Sequence, residues 1–518
     1  MLVAGPDHLT PSAAACCAAC GDHAAAVAAS GEYGALGCNV WVWCDPANPA
    51  CGPSARQCWL KHLPAAGAVP PRRGPGVPFT SGVTVPRAHE GAIAAVGEER
   101  AFSYHTVITA AGPAVHWQSR VAFYWWSKVK QECVQKAAAA GGGGAPVPCH
   151  MGGFTRILHE GREDNLMAEI PTFVAQPLEG REGGGAGGAS AGGGRVHGPP
   201  SSSSSSSSAA ARPRGGDGGY VVLNRPWAVV QWMRAAPPAE PYVLMGEPDH
   251  LWLAPLPNPL AAASLLSLGK TGSKKGRGGS GARSHTPRLA AYPFFYIEPA
   301  SAPHLPITAR FFAPQTPGAP PFTPDLASAI PPIGNSPTLL STPDLAALAP
   351  VWDATARAVF EYAPARDAWG WVLEMYAFAI AAVRVGLVSP ATPAALFPSL
   401  MSQPPWEGVG APFPPPGTYL LHYTYALDYD ANGTATPGVR GDPATGGWRF
   451  DKRDFARGPP PRNLALPPPS FRDGAARAVV EMINAATAAL PGWDAYAASG
   501  GESVEAWDGV SFLDGRET

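Results

Sequence analysis

Apolar and polar positions along this chain fall into short blocks that alternate between strand-like and helix-like patterning. The clearest strand block is Tyr242-Val243-Leu244-Met245, closed by the acidic corner Gly246-Glu247-Pro248-Asp249-His250. Pro248 has no N–H, so the corner lies at a strand end or edge. If the chain stays extended there, Glu247 and Asp249 point to one side and His250 to the other. Tyr104 to Ala110 reads as an earlier strand, followed by a turn at Gly112 and an aromatic-rich helix from His116 to Trp126. Strand, glycine turn and helix in that order predict the opening of an α/β nucleotide-binding unit. Neither G-x-G-x-x-G nor a P-loop is present, so a dinucleotide site and an NTPase are not indicated. Further on, Trp369 to Val383 reads as a helix buried on most of its surface, and Tyr419 to Tyr423 as a strand carrying His422 among apolar residues.

Composition narrows the classes. The chain has 518 residues, 46% of them hydrophobic, enough for two or three domains with real cores. A formal charge of −2 gives no electrostatic case for nucleic acid or a membrane surface. The 60 glycines and 61 prolines gather partly in inserts at 137–148, about 180–218 and 261–288, whose composition cannot bury enough apolar surface to order itself. No run of eighteen apolar residues exists; the best candidate, Tyr376 to Val388, is interrupted by Arg384. The first ten residues lack the basic and apolar parts of a signal peptide.

Seven of the nine cysteines lie between Cys16 and Cys58, a density that reads as a small stapled domain from an oxidising compartment. Cys17-Ala-Ala-Cys20 is alternatively half of a zinc site, but no second pair follows it. Seven is odd, so one thiol is free or pairs elsewhere, with Cys133 or Cys149 as candidates. With Gly37-Cys38-Asn39-Val40-Trp41-Val42-Trp43-Cys44, Gln57-Cys58-Trp59-Leu60-Lys61 and a closing Gly76 to Gly82, residues 14–83 resemble a PAN/Apple domain. That resemblance implies a helix against a curled sheet and a carbohydrate or protein ligand. Residues 84–101 read as a linker.

The patterned blocks downstream carry a second resemblance. They are Met151 to His159, Asp164 to Phe173, Tyr220 to Trp227, Met245 to His250, Ile333 to Pro337, Trp369 to Tyr376, Leu421 to Tyr425, Trp448 to Arg453 and Arg457 to Leu464. In this order they resemble the plant and algal hydroxyproline O-arabinosyltransferases, over residues 102–495 with the inserts excepted and 496–518 left as a tail. The resemblance implies an α/β, GT-A-like mixed-sheet domain behind the Apple domain. It also implies transfer of L-arabinofuranose from UDP-β-L-arabinofuranose to hydroxyproline of secreted or cell-wall peptides, with retention at the anomeric carbon. A related transferase, such as one moving galactose to serine, is the alternative within the class; a non-catalytic carbohydrate- or matrix-binding protein is the alternative outside it.

Such an enzyme must neutralise a diphosphate leaving group, most directly with a divalent ion. The acidic corner stands where many GT-A transferases carry Asp-x-Asp, so Asp249 is the first metal ligand. Glu247 is a second ligand or a partner of the ribose or of metal-bound water, and His422 completes the shell or is a core histidine. Oxygen donors with one imidazole favour Mn2+, with Mg2+ the alternative. Glu374, the one acid in its helix, is expected to be desolvated with a raised pKa and to act as the catalytic carboxylate. Asp367 is the second catalytic candidate or a helix cap. Arg449, Lys452 and Arg453, interleaved with aromatics, suit a pyrophosphate. Thr109, Asn224, Arg225, Asn335 and Ser336 are the remaining donor-binding candidates. The acceptor is expected to be a polyproline-type strand suited to exposed aromatics. Clustered cysteines and the sequon Asn432-Gly433-Thr434 predict entry into the secretory pathway; the resemblance implies the Golgi lumen and a type II membrane anchor, expected to be missing from this chain.

Overall fold

The protein is described by a computed structural model that places residues 6, 8–30, 38, 40–61, 79–83, 101–139, 149–178, 220–260, 287–312, 321–405 and 413–507. Residues 84–100, most of the three inserts and the end of the tail lie outside these described residues. The chain forms two compact units, Met1–Val96 and Gly97–Thr518.

In the first unit, helix α1 (Ala13–Ser30) packs on a three-stranded antiparallel sheet of order β2–β1–β3, with β1 Val40–Cys44, β2 Cys58–Lys61 and β3 Phe79–Val83. An alanine-rich helix buries little apolar area, so this core is small: Trp41, Trp43 and Leu60 around the cystines. Staples compensate. Cys16–Cys58 ties α1 to β2, Cys20–Cys38 ties it to the approach to β1, and Cys44–Cys51 closes the turn after β1. Cys17 is the free thiol. Because Cys20 is in a disulfide, the zinc alternative falls.

The second unit is built on a seven-stranded mixed sheet of order β11–β9–β10–β7–β4–β5–β6. Its strands are β4 (Tyr104–Ala110), β5 (Met151–Leu158), β6 (Thr172–Val174), β7 (Tyr242–Gly246), β9 (Leu289–Pro293), β10 (Ile333–Ser341) and β11 (Ala395–Leu396). β4, β5, β6 and β7 run parallel, whereas β10 is antiparallel to both its neighbours. This is the α/β, GT-A-like mixed sheet that the resemblance implies. Central strands are buried along most of their length because both faces are covered. Helix α2 (His116–Ala139) runs thirteen residues beyond the aromatic block that announces it. Its Trp126 indole donates to Thr106 Oγ1 of β4 and its Trp125 indole to the Met482 carbonyl. Cys133 near its end is bonded to Cys149 just before β5. Helices α3 (Asn224–Ala235), α4 (Thr342–Glu361) and α6 (Leu373–Arg384) pack on one another, and α6 also lies on β10.

Two expectations change here. Trp369 to Val383 is not one helix: a short α5 (Ala363–Trp369) stops at Gly370, whose φ of 50° is left-handed, and α6 starts after one 3-10 turn. The expected tail is also packed as far as Trp507. After α7 (Gly474–Ala489), α8 (Trp493–Ala498) buries Tyr496, and Trp507 packs on Phe123 and Tyr124 of α2. Among the described residues, no helix is long and apolar enough to cross a membrane.

Candidate active site

The parallel strands β4 and β7 run side by side as far as Ile108 and Gly246, and the chain leaves β7 there while β4 continues to Ala110. Strand carboxyl ends in such sheets are where ligands gather. The acidic corner is a turn, closed by the His250 amide on the Glu247 carbonyl at 3.2 Å, and it feeds β8 (His250–Trp252). β8 belongs to a small second sheet, β12–β13–β8, with β12 Met401–Ser402 and β13 Leu420–His422. In its antiparallel register His250 faces His422.

The turn separates the two carboxylates expected to act together. Asp249 points to His422, with Oδ2 3.2 Å from Nε2, and forms an ion pair with Lys452. Glu247 turns instead to Arg225, 2.9 Å from Nη2. His250, expected to point away, joins Asp249 and His422: one ligand atom from each lies within 4.8 Å of the others. Glu247 is therefore outside this cluster and His250 inside it, because the backbone reverses at Pro248-Asp249 where an extended chain was assumed.

Electrostatics keep the Asp249 carboxylate ionised. Burial alone would raise Asp249, but Lys452 and His422 outweigh it and hold the carboxyl well below its usual range. Burial and the facing His422 keep His250 neutral, and its Nδ1 accepts the Glu247 amide at 3.3 Å. Its Nε2 is buried without a hydrogen-bond partner. The Gln403 side-chain amide lies 2.9 Å from His422 Nδ1 and fixes that ring. A carboxylate with two imidazoles fits a divalent transition ion.

A second group adjoins the first. Arg225, in the first turn of α3, reaches Glu247, Glu374 Oε2 at 3.4 Å and Asn335 Oδ1 at 3.5 Å. Glu374 is only 2% exposed; burial, opposed by Arg225 and reinforced by Glu247, raises its pKa to about 7. Its second oxygen is buried and unpartnered, as are Ser336 Oγ on β10 and Thr109 Oγ1 at the end of β4. Unpartnered buried polar atoms grouped at one sheet edge are what a polar ligand would satisfy.

Other candidates lie elsewhere. Asn224 accepts from the Leu178 amide at 3.1 Å and braces that segment. Arg449 is engaged by Asp428, Asp451 and Asp454 around the pair β14 (Leu427–Tyr429) and β15 (Trp448–Phe450), and half-exposed Arg453 pairs with Asp451. Of the basic cluster, Lys452 alone reaches the acidic turn. Asp367 is exposed within α5 and caps neither helix: Tyr362 stands at the cap of α5 and Val372 at that of α6. Sequence reasoning passed over His159, which follows β5. Burial and then Arg225 lower it to about 3, and its Nδ1 is unpartnered. A single imidazole closing an apolar strand was its one signal.

An α/β sheet with an acidic turn, a histidine pair and a desolvated carboxylate at the carboxyl ends of its strands suits a glycosyltransferase domain, the class that the relatives share. Residues 104–185, 203–265 and 282–391 match the hydroxyproline O-arabinosyltransferase family N-terminal domain, and 419–494 match that family's C-terminal domain. The chain belongs to the hydroxyproline O-arabinosyltransferase family. It is 37% identical over 393 residues to hydroxyproline O-arabinosyltransferase PLENTY of Lotus japonicus, covering 76% of this chain and 81% of the relative. It is 38% identical over 392 residues to hydroxyproline O-arabinosyltransferase 1 of Arabidopsis thaliana, covering 75% and 81%. With hydroxyproline O-arabinosyltransferase NOD3 of Pisum sativum it shares 36% over 390 residues, covering 75% and 87%. Thr109, Arg225, Asp249 and Glu374 fall in the first matched domain, His422 and Lys452 in the second.

Proposed function

We propose that this protein transfers L-arabinofuranose from UDP-β-L-arabinofuranose to hydroxyproline of secreted or cell-wall peptides, with a divalent ion, Mn2+ before Mg2+, at Asp249, His250 and His422. The observation that carries the reading is the adjacency of two groups of opposite purpose, the Asp249 cluster and the buried Arg225–Glu374 group. Bound to the first, the ion would neutralise charge on the departing diphosphate. Lys452 adds a second positive charge at the same point. The bond from the anomeric carbon to the β-phosphate oxygen breaks, and one to the hydroxyproline hydroxyl oxygen forms. Ionised Glu374 stabilises positive charge at the anomeric carbon and accepts the hydroxyl proton. Arg225 holds Glu374 in place and keeps its pKa from rising further. Thr109, Ser336 and His159 supply polar atoms for the donor.

Four disulfides and the relatives' activity support a place in the secretory pathway, with the Golgi lumen as the proposed compartment. The stapled N-terminal unit would bind a carbohydrate or protein near the substrate. The test is UDP release from a panel of UDP-sugars, with a hydroxyproline peptide and with a serine peptide, before and after chelation and Mn2+ replacement. Release confined to the arabinofuranose donor and hydroxyproline peptide, and lost on chelation, is expected. Preference for another pair, or full activity in chelator, would defeat the reading.

A further inference from the structure

We infer that Trp371 is the platform on which a proline- or hydroxyproline-rich acceptor strand lies beside the reacting carboxylate. The inference rests on the acceptor class proposed above. Among the described residues Trp371 is the most exposed large apolar side chain, at 68%. A tryptophan so exposed on a chain that buries Trp117, Trp232, Trp352 and Trp493 completely calls for a reason. Its place follows from the break after α5: left-handed Gly370 ends that helix and a 3-10 turn carries Trp371 outward before α6 begins.

What ties this surface to the chemistry is Tyr220. Its hydroxyl donates to the Trp371 carbonyl at 2.8 Å and accepts from the Glu374 amide at 3.4 Å. One phenol thus fixes both the exposed indole and the first turn of the helix that carries the buried carboxylate. Its ring stands edge-on to Trp371, with centroids 5.3 Å apart at 82°, and stacks on Phe360 at 5.8 Å and 19°. The result is a braced aromatic shelf continuous with the Glu374 end of the site. Pyrrolidine rings stack well on indole, and a polyproline II strand, already extended, loses little entropy on docking. It also returns the same face every third residue, about 9 Å along, so one ring can rest on the shelf while another is presented for reaction. The occupant is therefore a proline-type strand.

Binding of a hydroxyproline-rich peptide, followed by calorimetry on the full chain, tests this apart from turnover. Trp371→Ala should weaken binding about tenfold and Trp371→Phe should keep most of it, while an alanine-rich peptide of equal length binds poorly to all three proteins. Acceptor-free UDP release from the donor should be unchanged in both variants. Equal peptide affinity in Trp371→Ala, or no affinity in the parent protein, would overturn the assignment. So would concentration-dependent self-association lost in Trp371→Ala, which would make a second copy the occupant. Failure of the donor assay with peptide binding intact would defeat the arabinose reading and leave the platform standing.

Discussion

His422 stands directly opposite His250 across the antiparallel pair β8–β13, their rings 4.6 Å apart and at 79°. The pairing brings two imidazoles together beside the Asp249 carboxylate, where the chain turns at Pro248-Asp249.

From this follows a ranking of ligands. Asp249→Asn and His250→Ala should each lower Mn2+ affinity more than tenfold, and Asp249→Asn should abolish turnover with the fold retained by circular dichroism. Glu247→Gln should leave Mn2+ affinity close to that of the parent protein, since Arg225 and not the cluster holds that carboxylate. Electron paramagnetic titration of free Mn2+ measures all three. Equal losses for Glu247 and His250 would restore the extended corner.

Arg225 stands between two largely buried carboxylates, and removing it strips Glu374 of its counter-charge and Glu247 of its nearest one. Arg225→Met should cost about 3 kcal/mol in urea unfolding. Combining it with Glu374→Gln should recover part of that loss, because one of the stranded charges is gone. An additive double variant would show that the two side chains do not interact.

The Glu374 carboxyl, raised to about 7 from 4.5, links stability and activity to pH in opposite directions. Its folded value exceeds the unfolded one, so the stability it confers is full below about pH 4.5 and is lost as pH rises through about 7. The ionised form is the active one, so kcat should rise over the upper part of that range. Glu374→Gln should flatten that part of the thermal-midpoint profile and lower kcat about a hundredfold or more, with donor binding less affected. An unchanged kcat would return Glu374 to a structural role.

Asn432 lies in the sole N-x-Ser/Thr sequence of the chain and is exposed at a turn beyond β14. The Asp430 carboxylate accepts the amides of Asn432 and Thr434, each at 2.9 Å, and presents the asparagine outward. Mass spectrometry of native protein should find glycan on Asn432 and eight cysteines in disulfides. Asn432→Gln should remove the glycan without changing turnover. An unmodified Asn432 with free thiols would contradict entry into the secretory pathway.

Local pattern carried much of this architecture. Tyr104 to Ala110 and the strand before the acidic corner were legible because alternation and apolar runs depend on neighbours in sequence. The isolation of Glu374 in an apolar helix announced its desolvation without any knowledge of what surrounds it. The cysteine cluster announced a stapled unit but not its pairs, since partners are chosen by Cα separation in the folded chain.

What the sequence by itself determined, then, is the order of the blocks, the class of sheet and the presence of the reactive residue types. Which of them meet was decided by tertiary structure. Lys452 reaches Asp249 while Arg449, three residues earlier, is held by three aspartates, and no spacing distinguishes the two. His250 entered the cluster through a hydrogen-bonded turn and a strand register set more than 150 residues away. Contacts between residues so distant depend on how sheets and helices pack, a property of the whole chain that no local window contains.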